Sequence, residues 1–195
     1  EKDTGYLHFY DNCPCGKPHD STQVNIKKHT SPTKRRPNPN KEYAEQIWSE
    51  TIDPVGTSTE TYLLNRNIEN LNSEIRHHVA LAHTPTGMWC EAMIVRVSDY
   101  RNRLIAIERH YIDGGEKAFE TQNKMSLGST AGGSVKLGKL DNSKTLGLAE
   151  GVITALTLNQ ELDIPVWACL GAKNLYKVQL PPLGLINTVK IFTDG

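Results

Sequence analysis

The chain has 195 residues, room for one ordinary core or two small ones, and its 22 basic and 22 acidic side chains cancel. That balance removes any global electrostatic case for nucleic acid and leaves such a case to local patches, while the composition excludes a disordered acidic chain and a collagen. No apolar run approaches the ~20 residues that a bilayer span needs. The opening Glu1-Lys-Asp-Thr-Gly5 lacks the apolar stretch of a signal peptide, so the sequence reads as cytoplasmic with no membrane partner.

Residues 1–29 are polar and contain Asn12-Cys-Pro-Cys-Gly-Lys-Pro-His19. Cys13, Cys15 and His19 are ligand types that a tetrahedral Zn²⁺ site takes, although zinc knuckles normally separate their cysteines by two to four residues and one residue separates these. Zinc ligation and a plain pair of free thiols both remain open on spacing. Residues 30–41 hold three prolines and the basic triplet Lys34-Arg-Arg36, a combination that reads as a linker. Residues 42–84 read as a helical segment. Tyr43, Ala44, Ile47 and Trp48 fall at helical spacing, Asp53-Pro-Val-Gly56 ends the run, and a second helix spans Thr59 to Leu64 with Thr57 or Ser58 as its cap. The aromatic residues Tyr43, Trp48 and Tyr62 sit at core-like spacing, which favours packing over base stacking. His29, His77, His78 and His83 show no ligand spacing and read as surface or satisfied histidines.

Residues 85–143 read as strand-rich. Ala92–Ser98 and Leu104–Ile112 flank Asp99-Tyr-Arg-Asn102 as a hairpin, and Lys124–Lys139, with four glycines, reads as a loop followed by a short strand at Val135–Leu137. Cys90 and Cys169 lie in apolar surroundings, as buried free thiols do. Residues 144–195 then alternate: an apolar run 146–149 ending in Glu150-Gly151, a helix Val152–Leu162, a strand Val166–Leu170, a short helix Asn174–Val178, and a strand Val189–Phe192 leading to Asp194. This alternation predicts an α/β sheet, mostly parallel with right-handed crossovers, within a chain that is α+β as a whole. Ligands of such sheets gather at the carboxyl ends of the strands, where Glu150 and Asp194 stand.

Two carboxylates on separate strand ends suit a shared Mg²⁺ or Mn²⁺, a hard ion that takes one or two carboxylates together with substrate phosphates. An ion so held polarises a phosphoryl oxygen and orients an attacking hydroxyl. The plainer alternative is that Glu150 complements a helix dipole and Asp194 begins a turn. Physical chemistry alone divides evenly between the two.

The stretch Thr145-Leu-Gly-Leu-Ala-Glu-Gly-Val-Ile-Thr-Ala-Leu156, a hydrophobic strand followed by Glu-Gly and a helix, resembles the first motif of Toprim domains. Val189-Lys-Ile-Phe-Thr-Asp-Gly195 resembles the beginning of the second, Asp-x-Asp, and Pro165–Leu175 sits where phage and mobile-element primases have a strand and a small-residue turn. The chain thus resembles DNA primases of the phage or mobile-element type, in the primase-helicase family. The resemblance implies a Rossmann-like Toprim domain over 144–195, of which the chain carries the first half, with Glu150 as the catalytic glutamate and Asp194 as the first aspartate. Both would hold Mg²⁺, and the second aspartate would fall one position past Gly195. The opening without Met and the stop soon after Phe192 agree with a piece of a longer protein.

Upstream, Ala92–His110 resembles the hairpin of the primase polymerising core and Lys124–Gly138 its Lys- and Gly-rich loop. On that resemblance Arg109, His110, Lys124 and Lys136 contact template and nucleotide phosphates. Glycines that let backbone N–H groups approach a phosphate, with lysines as point charges, fit that role. Cys13-Pro-Cys-Gly16 resembles one knuckle of the family's zinc ribbon in shortened form, which makes 1–29 a partial ribbon. The implied activity is Mg²⁺-dependent, template-directed nucleotidyl transfer that makes RNA primers, with single-stranded DNA, ribonucleotides and a replicative helicase as partners. Two other readings stay open: a Toprim nuclease or topoisomerase-like DNA cleaver, since one metal geometry serves hydrolysis and transfer, and a non-catalytic nucleic-acid-binding domain.

Overall fold

A computed structural model describes residues 39–182 and 184–193. Contacts divide the chain into units 1–36 and 37–195, and the described residues belong to the second. The candidate zinc ligands Cys13, Cys15 and His19, and the candidate carboxylate Asp194, lie outside the described residues.

Helix α1, Pro39–Glu50, starts inside the stretch expected to be linker. Proline in a first turn supplies a suitable φ and lacks an N–H that would have had no partner there, so Pro39 begins a helix instead of preventing one. Ala44 and Ile47 face inward, whereas Tyr43 is exposed and the Trp48 ring lies 5.0 Å from the Arg76 guanidinium. Helix α2, Ser58–Leu64, is capped by Thr57, whose hydroxyl accepts a hydrogen bond from Thr59 N at 3.2 Å.

Beyond Leu64 the helical expectation for 42–84 is corrected, because Ile75–His83 is a strand, β1. Its run Ile-Arg-His-His-Val-Ala-Leu-Ala-His has no clean alternation of apolar and polar residues, and its register with the next strand shifts between His78 and Leu81. A bulge of that kind breaks the period-2 signal by which strands are read. Strands β2, Met88–Ser98, and β3, Leu104–Asp113, form the expected hairpin. Its turn is held by Asp99, whose carboxylate accepts from the backbone N–H groups of Arg101 and Arg103 at 2.9 Å each. Strands β4, Glu116–Lys117, and β5, Lys124–Gly128, both pair with β3 and complete an antiparallel sheet. The start of the expected Lys124–Lys139 loop is therefore an edge strand. Only Met125 and Leu127 in it carry apolar side chains, too short a pattern to read as a strand.

The second sheet contains β6, Val135–Leu137, β7, Thr145–Ala149, β8, Val166–Ala168, and β9, Thr188–Phe192, in the order β6-β8-β7-β9. Strand β7 runs parallel to both neighbours and β6 is antiparallel to β8. Helix α3, Val152–Leu162, follows β7 as expected, and α4, Ala172–Leu175, begins two residues before the expected short helix. Strand β8 stops at Ala168 because Leu170 and Gly171 take positive φ values of 59° and 118°, which turn the chain out of the sheet.

The result is a mixed α/β, strand-rich fold. One face of the antiparallel sheet, with Met93, Val95 and Val97, packs in a single buried cluster with Leu63 of α2, Val152 and Leu156 of α3, and Leu137, Ala149 and Val166 of the second sheet. Helix α1 covers the other face through Ala44 and Ile47 against Ile94, Ile107 and Tyr111. The far face of the second sheet, with Leu146, Leu148, Trp167 and Cys169, is partly covered by Leu175, Val178 and Ile186. Among the described residues no helix is long and apolar enough to cross a membrane.

His77 shows what a polar residue requires in such a core. It is 1% exposed, with Nδ1 3.0 Å from the Thr59 hydroxyl and Nε2 3.7 Å from a Glu91 carboxylate oxygen. Burial pulls its pKa below 6.5; the Glu91 charge opposes that shift and His78 reinforces it. Neutral in the fold and titrating near 6.5 once unfolded, His77 contributes stability that is fully present above that pH and lost as pH falls toward its lower folded value. The melting temperature should therefore decline on acidification from about pH 7 to pH 5. His77→Gln should flatten that decline in thermal melts at several pH values, and parallel slopes for variant and wild type would exclude the assignment.

Candidate active site

Glu150 stands immediately after Ala149, the last residue of the central strand β7. Ala149 lies opposite Ala168 on one side and Phe192 on the other, so the carboxyl ends of three parallel strands meet around it. The backbone here is tied down: Cys169 N donates to Ala149 O at 2.8 Å and Gly171 N to Glu150 O at 3.2 Å. Helix α3 begins at Val152 behind Gly151, with no side-chain cap. The Glu150 carboxylate is half-buried, and among the described residues it makes no hydrogen bond or ion pair.

A carboxylate on a rigid strand end with its oxygens uncommitted suits a hard divalent cation. Strand β9 ends beside it, and Asp194 follows two positions after Phe192, outside the described residues. Among the described residues no three His, Cys, Asp or Glu side chains gather as a metal set, so Glu150 is the described member of the expected pair.

The glycine-bearing loop before β6 arrives at the same end of the sheet. Val135 lies opposite Ala168, so residues 129–133 emerge beside the carboxyl end of β8. Asn174 of α4 holds them there. Its Nδ2 donates to the carbonyl oxygens of Thr130 at 3.0 Å, Gly133 at 2.9 Å and Cys169 at 2.7 Å, and its Oδ1 accepts from Gly132 N at 2.8 Å. Two amide hydrogens shared among three carbonyls satisfy a residue that is only 8% exposed. Gly133 is closely packed, since a Cβ there would come within 2.5 Å of the end of the Ile105 side chain and 3.2 Å of Ser98 O, and Gly132 is favoured by its φ of +77°. The loop's glycines are thus used for close approach of protein to protein. Sequence reasoning missed Asn174, because a lone Asn near a short helix carries no signal until the loop is folded onto it.

The four basic candidates separate. Arg109 and His110 are successive residues of β3 and point to opposite faces, both covered. Arg109, 6% exposed, donates from Nε to Met125 O at 3.3 Å, and His110, fully buried, has Nε2 2.6 Å from Glu108 Oε1. Both side chains, expected to meet phosphates, are turned into the protein and bonded there. Burial tends to raise the Glu108 pKa, but the His110 hydrogen bond and charge, with Lys124 adding to them, turn the net shift downward. Lys124 lies opposite His110 on β5 and is exposed on the face that carries Met93 and the shared core. Lys136 is half-buried on the far face of the second sheet, donating to Asp99 O at 2.8 Å, with its ammonium 5.1 Å from the centre of the Trp167 ring. The two cysteines among the described residues are free; burial pushes the Cys169 thiol up to about 11, which leaves it unreactive.

A family model described as a domain of unknown function, DUF7146, matches residues 38–137, from the start of α1 to the end of β6. No curated protein and no solved structure matches the chain.

Replacing Asn174 tests the clamp. Asn174→Ala should cost on the order of 3 kcal/mol of stability, from several lost hydrogen bonds and buried groups left unpaired. It should also speed amide exchange at Gly132 selectively over exchange in β2 and β3. Gly132 exchanging as slowly as in the wild type would show that Asn174 does not hold the loop.

Proposed function

We propose, for a chain that belongs to the DUF7146 family, that it is a nucleotidyl-transfer module of the DNA-primase kind, acting on a single-stranded DNA template and ribonucleotides and working with a replicative helicase. The observation that carries this reading is the uncommitted Glu150 carboxylate at the end of a central parallel strand, with the strand leading to Asp194 paired alongside. A strand, Glu-Gly, a helix and two further parallel strands support reading 144–195 as the first half of a Toprim domain. The strand-rich sheet ahead of it, which shares its core, supports primer synthesis over simple DNA cleavage.

In this reading Glu150 and Asp194 are the residues that would hold Mg²⁺ or Mn²⁺, which when bound supplies charge neutralisation at phosphoryl oxygens. The remaining work falls to the chain. Lys124, exposed on an edge strand, supplies a point charge for a phosphate without regard to base sequence. Asn174 ties the Thr130–Gly133 loop to the end of β8, which fixes one wall of the neighbourhood of Glu150. Hydrogen-bonded backbone around Ala149 and Glu150 limits movement of the carboxylate, which lowers the cost of orienting it during transfer.

Separating the two roles tests the assignment. In the intact protein, Glu150→Gln should abolish primer synthesis while leaving affinity for single-stranded DNA nearly unchanged, because it removes charge without changing shape. Lys124→Ala should weaken DNA binding and lower its salt dependence by about one counterion. A gel assay of labelled primers beside a filter-binding titration at two salt concentrations measures both. Primer synthesis at the wild-type rate in Glu150→Gln would overturn the reading, and strand cleavage without primers would assign the site to a nuclease.

A further inference from the structure

Lys136, a candidate contact for template and nucleotide phosphates, stands away from Glu150. It sits opposite Trp167 on the far face of the second sheet and lines a cavity of about 690 Å³. The cavity lies toward the amino ends of the parallel strands. Leu137 pairs with Val166, the first residue of β8, and the chain continues past that end through Lys139 and Leu140, which also line the cavity. Glu150 stands at the opposite, carboxyl end.

The charge on the cavity wall is cationic. Glu74 is neutralised by Arg96, whose Nη1 lies 3.0 Å from a Glu74 carboxylate oxygen and whose Nη2 donates to Asn102 O at 2.6 Å. Lys136 gives one of its three N–H groups to Asp99 O, which leaves two. Lys139 is exposed and makes no ion pair among the described residues. Burial lowers the Lys136 pKa even though Asp99 and Glu74 oppose the shift, so an anion that partners this ammonium would relieve a desolvated charge. Tyr100, 53% exposed, Trp167, Leu140 and Pro182 supply apolar surface to the lining, beside the polar Asn102 and Gln179. The volume falls within the ~300–1,000 Å³ of small-molecule sites and is too small for a folded partner. A planar heteroaromatic ring suits the apolar part of the lining and the amide groups beside it, and a phosphate suits the two lysines that line the same cavity.

We propose that this cavity binds a nucleoside monophosphate, with the phosphate held by Lys136 and Lys139 and the base packed against Tyr100, Leu140 and Pro182. The site is separate from Glu150 and stands whether or not the chain makes primers.

Isothermal titration of the chain with AMP, adenosine and inorganic phosphate tests this. AMP should bind more tightly than either half alone, and with equal affinity to wild type and Glu150→Gln. Lys136→Met should weaken AMP binding at least about tenfold and Tyr100→Ala several-fold, as expected for a charge-assisted contact and a base stack. Should Lys136→Met fail to melt cooperatively, the exposed Lys139→Ala and Tyr100→Ala decide, and unchanged affinity in both overturns the proposal. Absence of AMP binding overturns it as well. So does binding lost in Glu150→Gln and kept in Lys136→Met, which would put the nucleotide at the carboxylate.

Discussion

The apolar core between the two sheets is the constraint on which the rest of the structure depends. Strands β2 and β3 bury Met93, Val95, Val97 and Ala106 against α3 and the second sheet, and each large side chain so removed from water contributes about 1.5–3 kcal/mol. A face this dry sets terms for every polar residue on it. His77 takes the Thr59 hydroxyl, and Glu108 takes the imidazole of His110, its neighbour two residues on along the same strand. Removing one member of such a pair strands the other in a low-dielectric interior, which costs more than the bond itself contributes. The strand-rich front of the chain and the parallel sheet behind it are therefore one structural unit as far as the described residues go, joined by burial.

Parallel pairing then divides the second sheet into two chemically different ends. Three strands finish together around Glu150, whose carboxylate has no protein partner among the described residues, and the Asn174 clamp brings a tight glycine loop to the same place. At the other end, Lys136 and Lys139 face a cavity with aromatic and proline walls. The direction of β6 produces this separation. Because β6 runs antiparallel to β8, the residues before it lie at the carboxyl end of β8 and those after it at the amino end. Lys124 and Lys136, twelve positions apart in one Gly-rich stretch, consequently serve different surfaces.

Several features were legible in the amino-acid order because their causes are local. The limits of α3, the Thr57 cap, the β2–β3 hairpin and the position of Glu150 after an apolar strand follow from short-range periodicity, capping chemistry and the Glu-Gly step. Strand β1 was not legible, since its Arg and His residues and a register shift hide the period, and its state is decided by pairing with β2. Nor was the short edge strand β5, which is a strand because β3 offers it a ladder.

For the site, sequence determined which residue types were present, a carboxylate at a strand end and lysines among glycines, because residue chemistry does not depend on the fold. Only tertiary structure decided which of them share a surface. Packing buried Arg109 and His110 on opposite faces of one strand, antiparallel pairing of β6 carried Lys136 to the far end of the sheet, and folding of α4 onto the loop made Asn174 its anchor. Contacts between residues about forty positions apart have no local signature, since they exist only once the core has brought the segments together.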